Sequence, residues 1–319
     1  MTPSISIVLP AWNAARHVEE AVQGIAAQDV PGIEIVAVDD GSTDGTGEVL
    51  ARALAEFERG DPTRRSVLLR QENLGAGAAR NAGLDRARGA LVCFHDADDV
   101  LMPGTLRALS DALSAHPGFE IVYPRCVHVD AGGRPTGVEA PFAPPVDAAA
   151  LILANPIHSD TGVMLRRPAA VRAGRFDETL PASICIDFWV RAATGRGACV
   201  AMIDTPPMRW RRHEGQITSD WRRQRAGWRA VADKALDSGL LSPRDRRRAE
   251  AAAGIDWATT AYRTGHHAEA RRLALAALRA GPATVLGDAH GRMRLAACAA
   301  SLLPARVHDG LRNRRPPAP

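Results

Sequence analysis

IEIVAVDDGSTDGT, residues 33 to 46, opens on an apolar run, closes that run with two aspartates and passes into a turn crowded with helix-capping residues. So short a run, bounded by a turn, reads as a strand buried in a sheet. Val49, Leu50, Ala53, Leu54 and Phe57 then recur at helical spacing. The same unit stands upstream, where SISIVLP (4–10) reads as a strand and Val18, Ala21, Val22 and Ile25 as a helix stopped by Asp29, Pro31 and Gly32. It repeats downstream. SVLLR (66–70) reads as a third strand, Ala78 to Ala87 as a helix, and ALVCFHD (90–96) as a fourth strand followed by a helix from Pro103 to Leu113. Strands alternating with helices predict right-handed crossovers and an α/β, Rossmann-like fold with a mainly parallel sheet covered on both faces. Ligands of such sheets sit at the carboxyl ends of the strands, where Asp39, Asp40, Asp96 and Asp98 fall.

The rest of the chain is less regular. From about residue 121, short strands with Gly and Pro breaks are expected, then a helix-like DAAALILAN and TGVMLRR (161–167), an irregular second half that shapes an acceptor pocket. Beyond about 225 the sequence is rich in Ala, Arg and Leu, and AGIDWATTAYRTGHHAEARRLALAALRAGP has the look of one tetratricopeptide-like helical hairpin. The expected division is therefore a catalytic domain over 1–225 and a helical extension over 226–319, ending in a disordered Pro/Arg tail.

Composition narrows the setting. With 319 residues, 46% of them hydrophobic, the chain can bury a full core. Its net charge of +4 is unevenly spread, with RWRRH (209–213), WRRQR (221–225) and RDRRR (244–248) favouring an anionic ligand or surface. A solvated helical face accounts for the same clusters. No aromatic-basic array of the kind single strands require accompanies them, so nucleic acid is not an expected partner. The five cysteines are odd in number and lack a CxxC pair, which disfavours a disulfide framework or a zinc site and fits a cytoplasmic setting. MTPSISIVLP carries no signal-peptide pattern, and no stretch approaches the ~20 apolar residues of a membrane span. Peripheral attachment to the inner face of a membrane remains compatible.

The chemistry concentrates at HDADD (95–99), where Asp96 and Asp98 form a DxD pair past a buried strand. Two carboxylates at that spacing can hold a hard cation such as Mg²⁺ or Mn²⁺ and leave positions open for phosphate oxygens. Alone, the pair reads more simply as an acidic turn capping the next helix. Asp39 and Asp40, with no basic neighbour in sequence, can accept from a uracil N–H or a ribose hydroxyl, and Asp44 reads as a cap. Trp12 lies at the same edge and offers a face for a nucleobase. NLGAGAARNAGL (73–84) brings Arg80 there too, at the place where a dinucleotide fingerprint needs its third glycine, so a dehydrogenase is disfavoured.

PAWN, VDDGSTDGT, NLGAGAARNAGL and HDADDVLMP, in this order, resemble the family 2 glycosyltransferases of the GT-A fold over residues 4 to 220. The resemblance implies that Pro10, Trp12 and Asp40 line the base pocket, that Arg80 lies near the nucleotide, that Asp96 approaches the ribose or diphosphate, and that Asp98 is the metal ligand. Trp12 stands where the family more often has tyrosine. SICIDFWVRAA (183–193) is similar to the segment with the family's catalytic acid and puts Asp187 at the matching place. Ile186 replaces the usual glutamate; an apolar neighbour favours the neutral acid and suits a general base. A helix N-cap is the competing role for Asp187. His213 resembles a late histidine that reaches the diphosphate or metal, Arg211 and Arg212 are placed to pair with phosphate, and His158 to Thr161 to touch the acceptor.

The implied reaction is inverting transfer of a sugar from a nucleoside-diphosphate sugar, a UDP-sugar first, to a hydroxyl on a sugar, lipid-linked or small-molecule acceptor, with Mn²⁺ or Mg²⁺, of the kind used to build cell-envelope polysaccharide. Two alternatives stand beside it. A nucleotidyltransferase of related fold attacks the α-phosphate and releases pyrophosphate; a non-catalytic nucleotide-sugar sensor binds without turnover.

Overall fold

A computed structural model describes residues 4–212, 216, 218 and 220–287. The chain falls into two compact units. The first comprises Met1–Leu151, Asn155–Thr179 and Ile184–His213, and the second Ile152–Ala154, Leu180–Ser183 and Glu214–Pro319.

The first unit is a mixed α/β domain. Its elements are β1 (Ile5–Ala11), α1 (Val18–Ala26), β2 (Ile33–Asp40), α2 (Thr46–Arg59), β3 (Arg65–Gln71), α3 (Ala76–Arg86), β4 (Leu91–Phe94), α4 (Thr105–Ala115), β5 (Ile121–Val129), β6 (Pro135–Glu139), α5 (Ala148–Leu153), β7 (Met164–Arg166), α6 (Arg167–Ala173), α7 (Ile184–Ala193) and β8 (Val200–Arg211). The sheet runs β3-β2-β1-β4-β7-β5-β6, with β8 alongside β5. β3, β2, β1 and β4 are mutually parallel, β7 is antiparallel to both β4 and β5, and β8 is parallel to β5. The chain winds outward from β1 to β3 and then crosses back to β4 on the other side of β1. The strand order thus reverses between β1 and β4, which opens a crevice at their carboxyl ends.

Period-two alternation divides the core. Ile5, Ile7 and Leu9 of β1 join Ile33, Ile35 and Ala37 of β2 against Val18, Val22, Leu50, Phe57, Leu106 and Leu109 from α1, α2 and α4. The alternate residues face the opposite way. There Val8 meets α3, and Phe94 packs edge-on against Phe176, Phe188 and Trp189. With both faces covered, all eight residues of β2 are buried.

Several boundaries differ from those expected. β4 stops at Phe94 rather than residue 96, because His95 to Asp99 turn out of the sheet. α4 starts at Thr105, two residues after Pro103, because Gly104 takes a left-handed φ of 86°. The expected run of short strands contains β8, twelve residues long, that the basic appearance of RWRRH conceals.

The second unit is helical, with α8 (Trp221–Asp237), α9 (Pro243–Arg263), α10 (His267–Ala280) and α11 (Pro282–Gly287). The expected hairpin over 253–282 corresponds to α9 and α10. The expected domain boundary at 225 falls inside α8 and moves upstream: Asp220 caps that helix by accepting from the N–H groups of Arg222 and Arg223, so the WRRQR cluster is its first turn. The expected disordered tail lies outside the described residues. Among the described residues no helix is long and apolar enough to cross a membrane.

α3 owes its closeness to the sheet to Gly83, where an added Cβ would come 2.4 Å from Val8 Cγ1. Gly83→Ala is expected to destabilise the domain by about 1–3 kcal/mol, the usual cost of overpacking, measured by urea denaturation. An unchanged midpoint would mean that α3 does not depend on this contact.

Candidate active site

The carboxyl ends of β1, β2 and β4 are laced together by their loops. Beyond β1, Asn13 takes a left-handed φ of 48°, donates its N–H to Ser42 Oγ at 3.0 Å and accepts the Thr43 N–H on Oδ1 at 3.0 Å. Asp44 accepts from the N–H groups of Ala15 and Thr46 and from the Thr46 hydroxyl. Burial opposes ionisation of Asp44, but the bonds from Thr46 and Ala15 outweigh it and hold the carboxyl below its ordinary value. Its reading as a cap is consistent with these bonds. Trp12 stands out from this frame with 57% of its surface exposed, its ring available to a ligand.

At the end of β2 the geometry differs from the expectation. Asp40 is buried, and both of its oxygens are committed: Oδ1 accepts from Gln71 Nε2 (2.8 Å) and the Leu74 N–H (2.9 Å), and Oδ2 from the Gly75 N–H (2.9 Å). It holds the β3–α3 loop. Asp39 accepts from the Ser42 N–H at 3.1 Å and lies across the β2–β3 ladder from Arg70, so the aspartates do have a basic neighbour, supplied by the adjacent strand.

β4 leads directly into the acidic turn, and the His95 N–H donates to Val8 O at 3.0 Å, which pins the turn beside β1. Asp99, 1% exposed, accepts from the hydroxyls of Ser159 and Thr161, each at 2.8 Å, and from the Arg211 N–H at 2.9 Å. Burial and the nearby Asp98 and Asp96 raise its pKa well above the ordinary carboxylate value. Thr161 Oγ1 in turn accepts the Asp96 N–H at 3.0 Å. The acidic turn is thereby fixed from two sides.

Arg80, on α3, is 5% exposed and spans two carboxylates, with one terminal nitrogen 2.6 Å from Asp96 Oδ1 and 3.1 Å from Asp160 Oδ2. Burial pushes Asp96 up to about 7 against the pull of Arg80, with Asp160 and Asp98 adding to the rise, although 30% of the side chain still meets solvent. The ring of His95 is fully buried, which pushes its pKa down to about 4 and keeps it neutral at pH 7.

Other expected residues take different places. Arg211 is buried and donates to Asp98 O, Ala131 O and Glu20 Oε2, so it braces the acidic turn rather than waiting for phosphate. Arg212 lies over the Trp210 ring. Ser159 and Thr161 serve Asp99, while His158 and Ser159 line a cavity of about 10 Å³, room for one water-sized group. Pro10 is the penultimate residue of β1. His213 lies outside the described residues.

Asp187 does not cap α7. α7 begins three residues before it, and its Oδ2 accepts from Arg191 Nε at 3.0 Å and a terminal nitrogen at 2.8 Å, with 4% of the side chain exposed. Ile186 therefore does not isolate it; a cation one turn along the same helix pairs with it. Cys185, also on α7, is buried near Arg80, Asp160 and Asp96, and burial raises its thiol well above the ordinary value. Sequence reading missed Asp99, Cys185 and Glu20, and included Asp160 only within the stretch 158–161 expected to touch the acceptor. The third aspartate of HDADD and the DTG at 160–162 were the available signals.

With this geometry in hand, comparison with known proteins is specific. The sequence model of Glycosyl transferase family 2 matches residues 6–170. Glycosyltransferase GlyA of Streptococcus pneumoniae is 39% identical over 95 residues, 30% of this chain and 13% of that protein. The GalNAc(5)-diNAcBac-PP-undecaprenol beta-1,3-glucosyltransferase of Campylobacter jejuni is 31% identical over 125 residues, 39% of this chain and 38% of that one. The chain spans less than two thirds of the length of the curated relatives it matches. Two solved structures share the fold. S. aureus TarS 1-349 in complex with UDP-GlcNAc superposes with a TM-score of 0.60 at 18% identity, covering 99% of this chain and 93% of that one. The mannosyltransferase PcManGT of Pyrobaculum calidifontis, in complex with GDP-Man and Mn²⁺, gives 0.59 at 22% identity, covering 94% and 86%. The first unit has the GT-A fold, and the chain belongs to glycosyl transferase family 2.

Proposed function

We propose that this protein is an inverting, metal-dependent glycosyltransferase that moves a sugar from a nucleoside-diphosphate sugar to an acceptor hydroxyl. The observation that carries this reading is the gathering of Trp12, Arg80, Asp96 and Asp98 around the β1–β4 crevice. An exposed ring for a base and ionisable groups for a charged diphosphate meet there at one sheet edge. The names of the ligands in the two solved structures support a sugar nucleotide, and a UDP-sugar is the first donor in this reading. The name of the undecaprenol glucosyltransferase supports an acceptor that is part of a cell-envelope saccharide.

The residues fit a divalent cation of the Mg²⁺ or Mn²⁺ type. Among the described residues no three His, Cys, Asp or Glu side chains form a ready cage, and such ions need only one or two carboxylates when substrate phosphates complete the shell. Asp98 would hold the ion, with Asp96 beside it. When bound, the cation supplies neutralisation of charge on the departing diphosphate. Asp40 shapes the pocket indirectly, by holding the 71–75 loop. Arg80 fixes Asp96 and Asp160 in place, so little reorganisation is needed as the sugar leaves.

The base role expected of Asp187 passes in this reading to Asp160. Its side chain keeps 21% exposure and stands at the cluster, where Arg80 orients it. Asp160 would take the acceptor's proton as the hydroxyl attacks the anomeric carbon from the side opposite the diphosphate, and one displacement inverts that centre.

Purified protein with Mn²⁺ or Mg²⁺ is expected to release nucleoside diphosphate from one of UDP-, GDP- or TDP-sugars. EDTA or Asp98→Ala should lower release by about 10²-fold or more. Release of pyrophosphate would turn the assignment to a nucleotidyltransferase, and metal-dependent binding without any release to a sensor. A second pair of variants separates the carboxylates. Asp160→Asn should lower kcat by about 10²-fold or more at unchanged melting temperature, whereas Asp187→Asn should lower melting temperature and leave kcat of the folded fraction within a few fold. The reverse pattern would restore Asp187 as the base.

A further inference from the structure

α9 begins against its own electrostatics. Four of its first six residues are arginine, Arg244, Arg246, Arg247 and Arg248, against one acid, Asp245, at the positive end of the helix dipole, which Ser242 caps. One of the four is accounted for: Arg246 pairs with Asp233 and Glu250. Among the described residues no ion pair or hydrogen bond engages Arg244, Arg247 or Arg248, and all three are exposed. Their spacing of i, i+3 and i+4 puts them on one face of the helix. A solvated face would leave them on a convex surface, yet they line one wall of a cavity of about 460 Å³ whose other wall is the α10–α11 turn, with Pro282, Ala283 and Thr284. That volume is in the range of small-ligand sites.

We propose that this cavity in the helical unit is a binding site for a phosphate ester, separate from the sugar-nucleotide site. Three guanidinium forks suit a tetrahedral oxyanion, each able to give two parallel hydrogen bonds. The hydroxyl of Thr284 adds a further donor, and Pro282 and Ala283 offer an apolar wall to the carbon part of the ester. The same chemistry is presented by a phospholipid headgroup and by a soluble phosphorylated metabolite.

The test uses the full chain, its Arg244→Gln/Arg247→Gln/Arg248→Gln variant and, as a control, Arg272→Gln, which removes an exposed arginine already paired with Glu269. Sedimentation with phosphatidylcholine vesicles, with and without phosphatidylglycerol, probes the lipid source. Calorimetry with glycerol 3-phosphate and inorganic phosphate probes the soluble one. The triple variant is expected to melt with the wild type in the absence of probe and to lose about 10²-fold in affinity, about fivefold for each arginine, for phosphatidylglycerol vesicles or for glycerol 3-phosphate. Whichever probe shows the loss names the source. Equal binding by wild type and triple variant, no binding of any probe by the wild type, or an equal loss in Arg272→Gln would overturn the proposal.

Discussion

A carboxylate taken out of water is costly unless every lone pair finds a donor, and Asp99 sets that demand at the centre of the first unit. Its three donors come from different parts of the chain: two hydroxyls just ahead of β7 and the N–H that ends β8. Neither donor segment can shift without leaving a buried carboxyl group short of a partner. The same knot orients the neighbouring groups, since Thr161 also accepts from the backbone of Asp96 and Arg211 also donates to the backbone of Asp98. The two carboxylates with access to solvent are therefore aimed by a third that has almost none.

The parallel half of the sheet was legible because its signals are local. Buried strands and amphipathic helices alternate with clear turns from residue 4 to 115, and β2 occupies the residues read for it. What escaped depends on partners distant in sequence. β8 buries Met208 and Arg211 with half-buried Arg209 and Trp210 between them, and nothing local reveals that an arginine is buried to brace another turn. Asp40 was placed at the correct edge, but the direction of its side chain depends on a loop after the next strand. α7 buries Asp187 together with Cys185, Phe188 and Trp189, and its pairing with Arg191 one turn along is a helical i, i+4 contact that a motif match does not register.

The two units solve the packing problem with different residues. The first fills its sheet faces with branched aliphatics and the Phe94, Phe176, Phe188 and Trp189 cluster. The second brings helices close through small side chains, as where a Cβ on Gly254 would come 3.0 Å from that of Ala277. Part of its surface charge is neutralised within the unit, where Arg229 and Arg246 share Glu250.

The position of β8 as the last strand of its unit bears on how the protein is made. Asp99 leaves the ribosome 112 residues before the Arg211 N–H that completes its coordination. At ordinary elongation rates that interval is roughly 6 to 22 s. For that time the nascent chain can hold the β1–β4 scaffold while its acidic turn is still unanchored. The acidic turn is thus the last part of the unit to be anchored, so a ribosome stalled just before residue 211 carries most of the strands of the sheet and an acidic turn still short of one of its three donors.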